Sequence, residues 1–309
     1  MAAAGHEGTL TNESESLFFK LTTKREVRFY SDLEKLREAE GSSSHAAEEL
    51  NTVSFCDWAP VFVGTMQEGI NGDPAQITNY SPLQKIAYNP ISNQTITKSY
   101  IVLENLLQGY KSPNEKKARL EAVSNKTTSG LLGARVCGMK MKKHQDLGTI
   151  NASHFDLDIT SNYYSINKFY GRSLKTEADL IDAFKFFFQT NALPEKQITN
   201  LLQSFLTRLQ LLYNTLLDTP VRLISSSLLF IYEADPQRWT ENTDVLLDDD
   251  FAVGESEEEE EGDRPQRSLS KLKLIDYAHS EFKQQKESYD ENVLFGVESL
   301  INIFKKMQL

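Results

Sequence analysis

Residues suited to handling phosphate groups occur near both ends of the sequence. Gly5-His6-Glu7-Gly8 precedes an apolar run that ends at Lys20, the order expected of a phosphate-covering loop followed by a strand lysine. Asp276 follows the apolar pair Leu274-Ile275, where a Mg²⁺ ligand would lie in a phosphoryl-transfer site. The alternatives are an ordinary hairpin with a surface lysine and an aspartate that caps a turn.

A third stretch, residues 111–143, is strongly basic. It carries nine Lys and Arg residues against two glutamates. Lys116 and Arg119 are three residues apart, so on a helix they would share one face and could bind phosphate groups. A solvated basic face is the alternative. Nucleic acid is a rival ligand, which the lack of interleaved aromatic residues disfavours.

The elements that would position these residues follow from apolar periodicity. The first part of the chain is rich in strand patterns, and the second part is rich in helix patterns. Predicted strands are Leu17–Leu21, Trp58–Gly64, Tyr100–Glu104, Val221–Tyr232 and Leu272–Ala278. Predicted helices run from Glu26 to Ala39, from Leu180 to Phe188 with Thr176 as a cap, from Ile198 to Leu216, and from Val293 to Phe304.

Length and charge limit the architecture. The 309 residues are enough for one large or two ordinary domains. The net charge of −11 is concentrated, because residues 241–263 hold 12 acidic residues and no Lys or Arg. Such a segment is expected to be a solvated insertion between two core strands. It could simply keep the protein soluble, or it could bind basic partners or a DNA-bound activator.

Several classes of protein are disfavoured. No apolar run approaches the ~20 residues that span a bilayer, so membrane insertion is not expected. The N-terminus lacks the pattern of a secretory signal. Cys56 and Cys137 are expected to be reduced intracellular thiols. The five histidines lack metal-ligand spacing, which argues against a structural zinc site.

Four stretches taken together resemble the inositol polyphosphate kinase family, most closely its fungal multikinase members. They are Gly5-His6-Glu7-Gly8 with Phe19-Lys20, Val102-Leu103-Glu104-Asn105-Leu106, the serine-leucine run at residues 225–233, and Ile275-Asp276-Tyr277-Ala278-His279-Ser280. Tyr170-Gly171-Arg172-Ser173 and residues 289–293 also look like family signatures. The resemblance extends over nearly the whole chain.

The resemblance implies an α+β fold of the two-lobed, protein-kinase-like type, with a smaller strand-rich N-lobe and a larger helix-rich C-lobe. Residues 1–106 would form the N-lobe and the hinge, with a loop insertion at about residues 66–98. Residues 107–309 would form the C-lobe, including a substrate-binding helix and a disordered acidic insertion at 241–263. ATP would bind in the cleft between the lobes.

The resemblance also implies roles for the residues around ATP. Lys20 matches the lysine that contacts the ATP phosphates during catalysis, and Glu26 matches its helix partner. Glu104 and Leu106 match the hinge that binds adenine through backbone groups. Asp276 matches the catalytic aspartate that binds magnesium. ATP and Mg²⁺ are therefore the expected cofactors.

The implied substrates are inositol tris- and tetrakisphosphate, whose hydroxyl groups the family phosphorylates. His279 matches a residue near the inositol phosphate, and Lys116 and Arg119 fall on the family's substrate-binding helix. Fungal members are linked to transcriptional regulation, so transcription-regulator partners, reached through the acidic insertion, and a nuclear and cytoplasmic location are expected. Direct nucleic-acid binding is not expected.

One family motif, Pro-x-x-x-Asp-x-Lys-x-Gly, is missing after the hinge. Pro113-Asn114 is followed directly by Glu115-Lys116, and no Asp occurs between Asp73 and Asp146. Loss of the motif's Asp and Lys would remove substrate positioning and charge stabilisation together. Two explanations remain open: a deletion in an otherwise normal kinase, or a family member that has lost catalysis and acts as a scaffold or transcription-regulator partner.

Overall fold

Two antiparallel sheets form the framework of the protein. The computed structural model describes residues 9–41, 53–67, 99–120, 126–143, 150–189, 193–242, 244–247, 268–283 and 289–308. The glycine loop predicted at residues 5–8 lies outside this part of the chain. Most of the two predicted insertions, 66–98 and 241–263, also lies outside it.

The first sheet comes from the N-terminal part of the chain. Its strand order is β1-β2-β4-β3. The strands are β1 (Leu10–Thr11), β2 (Leu17–Leu21), β3 (Phe62–Gln67) and β4 (Ser99–Glu104). β4 lies in the interior of the sheet and buries Ile101, Val102 and Leu103, as its β-branched and aromatic content predicted. The strand predicted at Trp58–Gly64 begins later, because a capped 3₁₀ helix at Phe55–Trp58 precedes it.

Helix α1 (Lys24–Gly41) connects this sheet to the C-terminal part of the chain. Its buried positions Glu26, Phe29, Tyr30 and Leu33 recur at helical spacing and form one face. The Phe29 ring stacks on Tyr277, with the ring centroids 4.3 Å apart. The helix therefore holds the segment that carries Asp276 against the first sheet.

The second sheet is larger, with the strand order β11-β10-β5-β6-β8-β7. The strands are β5 (Pro113–Leu120), β6 (Ala134–Lys142), β7 (Phe155–Asp158), β8 (Tyr163–Ile166), β10 (Ser227–Glu233) and β11 (Ser270–Ile275). The single strand predicted at Val221–Tyr232 is wrong. It is two strands, β9 (Val221–Arg222) and β10, because Ser225 adopts a left-handed conformation with φ of 63°.

Three long helices, α4 (Glu177–Gln189), α5 (Glu195–Asp218) and α7 (Glu291–Met307), cover one face of the second sheet. Phe184, Phe205, Phe230 and Phe304 meet between them, and the Phe230 and Phe304 rings stack 5.8 Å apart. Such aromatic pairs add to the apolar area that is buried. The predicted cap is also observed, because Thr176 Oγ1 accepts a hydrogen bond from the Asp179 amide.

Shorter elements complete the described fold. They are α2 (Thr128–Leu132), a 3₁₀ turn at Ala152–His154, α3 (Lys168–Ser173), α6 (Pro236–Glu241) and β12 (Glu281–Phe282), which pairs with β9. No helix within the described ranges is both long enough and apolar enough to cross a membrane.

Residues 244–247 and residues 268–270, which lie on either side of the segment 248–267, meet on helix α5. Arg208 donates hydrogen bonds to the carbonyl oxygens of Val245 and Leu246 on one side and to Ser270 on the other. Asp244 accepts hydrogen bonds from the backbone amides of Leu269 and Ser270. We call this set of contacts the Arg208 clamp. It holds residues 244–247 beside residues 268–270.

Candidate functional site

Lys20, on strand β2, forms ion pairs with two carboxylates. Its Nζ atom lies 2.7 Å from Glu26 Oε1 and 2.8 Å from Asp276 Oδ1. The lysine residue is only 8% exposed, so these contacts are shielded from water. The structure therefore brings Asp276 to Lys20, which is 256 residues away in the sequence, and to Glu26, as the family resemblance implies.

Glu26 links three segments of the chain. Its Oε1 atom accepts hydrogen bonds from Lys20 Nζ and from the Tyr277 amide, at 2.7 and 3.1 Å. Its Oε2 atom accepts one from Thr22 Oγ1 at 2.9 Å. Because Glu26 is fully buried, these donors replace the water that its carboxylate has lost. Glu26 thus fixes the lysine of β2 relative to the peptide that follows Asp276.

Asp276 lies at the point where strand β11 ends. Its φ of 67° is in the left-handed region, which few residues other than glycine adopt. Ser226 Oγ donates a hydrogen bond to the Asp276 carbonyl oxygen at 3.2 Å, and Tyr277 is bound to Glu26 on the other side. An unusual backbone conformation that neighbouring groups hold in place is typical of a functional position.

Lys117, which the sequence reasoning did not select, is the fourth charged residue of the site. It lies on strand β5 opposite Leu229 of β10, and its Nζ atom contacts Asp276 Oδ2. Asp276 therefore has an ammonium group on each carboxylate oxygen. In the sequence Lys117 is one of nine basic residues in the segment 111–143, and its spacing does not distinguish it from the others.

The pKa values of this network reflect its pairing. Burial alone would raise the pKa of Asp276, but the charges of Lys117 and Lys20 outweigh burial and hold that pKa well below its ordinary value. Burial alone would lower the pKa of Lys20, but Asp276 and Glu26 raise it above its ordinary value. Asp276 is therefore a carboxylate and Lys20 an ammonium group throughout the neutral range.

The prediction that Lys116 and Arg119 lie on a helix is wrong. Both residues lie on strand β5, because the strand pairs with β10 on one side and β6 on the other. Side chains alternate between the two faces of a strand, so Lys116 points away from Lys117 and into the core. Lys116 is fully buried, donates a hydrogen bond to the Ala183 carbonyl oxygen at 2.8 Å, and lies over the Phe184 ring.

Substitution of Lys116 should increase stability and change its pH dependence. Burial lowers the pKa of Lys116 well below its ordinary value, and no carboxylate pairs with it in the described residues. Between that lowered pKa and the unfolded value, the unfolded state binds more protons, so stability falls as the pH falls. The slope approaches ~1.4 kcal/mol per pH unit. We expect Lys116→Met to be more stable than wild type at pH 7 and to lose this slope.

Chemical denaturation at pH 7 and pH 9 measures both effects. Lys196→Met is the matched control, because Lys196 is an exposed lysine on helix α5. It should retain the wild-type pH dependence. Equal slopes in wild type and Lys116→Met would show that Lys116 is charged and paired in the folded state.

The predicted hinge lies beside a small apolar cluster. Leu106, Leu229 and Ile231 are buried together there, with Leu107, Tyr110 and Ile275 around them. Glu104, at the end of β4, is bound twice to Val61: its amide donates to the Val61 carbonyl oxygen, and its side chain accepts from the Val61 amide. Since Ile275 directly precedes Asp276, this apolar wall adjoins the charged network. It could hold an aromatic base, and the adenine-binding role of Glu104 and Leu106 stays a prediction.

The remaining predicted substrate residues are dispersed. His279 lies in the turn after Tyr277 with an exposed side chain, and Arg119 is half-buried on the same face of β5 as Lys117. The roles of His279, Lys116 and Arg119 toward an inositol phosphate stay predictions. The burial of Lys116 in the core does not favour its role.

The carboxylates of the network are paired with protein donors in the structure. Within the described ranges, no group of three or more His, Cys, Asp or Glu residues is arranged to hold a metal ion. Both oxygens of Asp276 contact ammonium groups, and both oxygens of Glu26 accept hydrogen bonds from protein donors. In kinase sites Mg²⁺ is usually held by one or two carboxylates together with substrate phosphates and waters, so Asp276 could still bind a Mg²⁺ ion that arrives with ATP. Asp276, the expected Mg²⁺ ligand, is paired with Lys20 and Lys117 in the structure.

Protein kinases have a strand lysine paired with a glutamate of the following helix, and an aspartate at a strand end. Lys20, Glu26 and Asp276 have the same arrangement. The site therefore places the chain in the kinase-like class. A model of the inositol polyphosphate kinase family matches residues 109–305. The inositol polyphosphate multikinase of Saccharomyces cerevisiae is 37% identical over 98% of this chain and 96% of its own length. The chain therefore belongs to the inositol polyphosphate kinase family.

Two further relatives agree with this assignment. The inositol polyphosphate multikinase of Schizosaccharomyces pombe is 26% identical over 98% of this chain and 94% of its own length. A crystal structure of inositol phosphate multikinase from S. cerevisiae, in complex with ADP and Mn²⁺, matches with a TM-score of 0.71. That match has 33% identity and covers 95% of this chain and 100% of that chain. The predicted two-lobed, kinase-like α+β fold is thus confirmed, and the predicted lobe bounds stay a prediction.

Proposed function

We propose that this chain is an ATP-dependent inositol polyphosphate kinase that phosphorylates hydroxyl groups of inositol tris- and tetrakisphosphate. Membership of the family supports the reaction type, and the named relatives support the substrate class. The observation that carries the proposal is the buried network of Lys20, Glu26 and Asp276. Nucleotide binding is further supported by the ADP in the related crystal structure.

Each part of the site has a task in this proposal. The apolar wall of Leu106, Leu229 and Ile231 would receive the base. Lys20, held in place by Glu26, would bind phosphate oxygens of ATP and neutralise charge that develops during transfer. Mg²⁺ would arrive on the ATP phosphates and would supply further neutralisation there. Phosphoryl transfer depends mainly on such positioning and charge stabilisation.

A second candidate is a catalytically impaired family member that acts as a scaffold or transcription-regulator partner. The observation that favours it is the loss of the family motif after Pro113, because the Asp and Lys of that motif are absent from this chain. The alignment with the S. cerevisiae relative also spans 348 positions, more than the 309 residues of this chain. The relative therefore contains positions that this chain lacks.

A kinase assay separates the two candidates. The purified chain is incubated with inositol 1,4,5-trisphosphate, ATP and Mg²⁺, beside a version in which the missing motif is inserted between Asn114 and Glu115. We expect more highly phosphorylated inositols from the chain itself, and Asp276→Asn should lower the rate by ~10² to 10³-fold. Product from the restored version alone would favour the impaired scaffold. Product from neither would overturn the enzymatic proposal.

The nuclear and cytoplasmic location and the transcription-regulator partners are also proposals. The charge of residues 241–263, which a basic partner surface would complement, motivates the partners, and the resemblance to fungal family members motivates the location. Pull-down of the partner by the full chain and by a chain that lacks residues 248–267 tests this role. Equal recovery by the two chains would exclude the acidic segment as the binding element.

A further inference from the structure

We propose that Arg135, together with Arg119 and Ser227, binds a phosphate group of the inositol polyphosphate substrate on the second sheet. The inference rests on the proposed function for the identity of the substrate. It assigns a substrate-binding residue, Arg135, that the sequence reasoning did not select. It also locates this phosphate group on a sheet, because the residues expected on a substrate-binding helix lie on strand β5.

The three residues form one row across the sheet with the end of strand β11. Ile275, which directly precedes Asp276, lies opposite Ser227 of β10. Ser227 lies opposite Arg119 of β5, and Arg119 lies opposite Arg135 of β6. Directly opposite residues on antiparallel strands share one face, and neighbouring strands are ~4.8 Å apart, so the row extends over roughly 14 Å. A phosphate group held by this row therefore lies beside Asp276.

The row lies on the face of the sheet opposite the three long helices. Ala118, Ala134 and Val136, which alternate with the two arginines along β5 and β6, are buried in the core on the other face. The side chains of Arg119 and Arg135 are only half-buried, so a ligand can reach them. On this face, β5 and β6 carry one carboxylate, Glu115, and five cations: Lys117, Arg119, Arg135, Lys140 and Lys142. The excess of positive charge suits a polyanion.

The internal contacts of the row are incomplete without a ligand. Like charges directly opposite each other on neighbouring strands destabilise a sheet, and Arg119 and Arg135 are such a pair. Arg135 forms no side-chain hydrogen bond or ion pair with any residue that the structure describes. The Ser227 hydroxyl group is buried and, among the same residues, has no hydrogen-bond partner. A phosphate group would accept hydrogen bonds from both residues, and its charge would offset the repulsion between the guanidinium groups.

Isothermal titration with inositol 1,4,5-trisphosphate, without nucleotide and with Mg²⁺ and ADP, tests the inference without requiring catalysis. Arg135→Gln should lose about tenfold or more of the wild-type affinity, because charge-assisted hydrogen bonds are removed. Arg135→Lys keeps the charge but not the two-pronged geometry of the guanidinium group, so it should lose less. Arg28→Gln is the matched control, since the Arg28 side chain is 85% exposed on helix α1, and it should bind as wild type does.

Thermal unfolding without ligand separates substrate binding from a structural role of Arg135. Arg135→Gln removes one of two opposed like charges, so it should unfold at the wild-type temperature or above it. Its affinity for ATP with Mg²⁺ should equal that of wild type, because the changed side chain belongs to the substrate row. A lower unfolding temperature or a lower ATP affinity of this variant would assign Arg135 to the support of the fold and overturn the inference.

The inference and the proposed kinase activity can fail separately. Unaltered affinity of Arg135→Gln for the trisphosphate would overturn the inference and leave the proposed activity intact. Binding that depends on Arg135, in a chain that forms no phosphorylated product, would support the inference and overturn the proposed activity. Failure of the folded wild type to bind the trisphosphate under either condition would overturn both.

Discussion

Substitution of Gly171 by alanine should strongly destabilise the folded chain. Gly171 lies in α3, which packs directly against strand β6. A Cβ atom at this position would lie 1.8 Å from the Val136 carbonyl oxygen and 2.7 Å from the Val136 carbonyl carbon. Both are backbone atoms in the middle of the sheet, so neither can move aside as the end of a flexible side chain could.

The expected loss is at least ~3 kcal/mol in the free energy of unfolding, the upper part of the range for overpacked cores. Chemical denaturation and the yield of soluble protein measure it. Arg172→Ala is the matched control, since Arg172 is the next residue of the same helix and its side chain is exposed. It should remain within ~0.5 kcal/mol of wild type. Equal stability of the two variants would mean that α3 can move away from β6 without cost.

Replacement of Arg208 by methionine should cause the second large loss of stability. Arg208 is 2% exposed on helix α5 and forms the centre of the Arg208 clamp. Three of its hydrogen bonds, to Leu246, Val245 and Ser270 Oγ, measure 2.7 Å. The substitution would leave the carbonyl oxygens of Val245 and Leu246 without this donor, and Asp244 without its cation.

Removal of one member of a buried, hydrogen-bonded charge pair typically costs ~3 to 5 kcal/mol, and we expect a loss of this size for Arg208→Met. The free energy of unfolding from urea titration is the readout, with Lys196→Met on the same helix as a control that should differ little from wild type. Partial proteolysis should also become faster near residues 244–247. A stability change below ~1 kcal/mol would show that the clamp contributes little to the folded state.

Much of the helical part of the fold follows from apolar periodicity, because α1, α5 and α7 each bury one regular face. Strand β5 does not follow from it. A run such as Lys116-Lys117-Ala118-Arg119 has the composition of a solvated helix, and its burial depends on strands that are distant in the sequence. The break at Ser225 was missed for a related reason, since it depends on contacts of its neighbour Ser226 with Leu120, Asp276 and Ser280.

The candidate site, like the fold, could be predicted only in part from the sequence. The resemblance to family motifs selects Lys20, Glu26 and Asp276, and the structure places both carboxylates within hydrogen-bond distance of Lys20 Nζ. Lys117 was not selected, because its face of the sheet is defined only by the register of β5 against β10. In sequence it was one of nine basic residues; in the structure it is the residue that contacts Asp276 Oδ2.

The Arg208 clamp also bears on how this chain can diverge over time. The clamp holds residues 244–247 and 268–270 side by side, whatever connects them. The entropic cost of closing a loop rises only with the logarithm of its length, by about 0.6 kcal/mol for each doubling. Insertions and deletions between the clamped ends are therefore nearly neutral for the folded body. Natural selection can alter the connecting segment without changing the cleft that holds Lys20, Lys117 and Asp276.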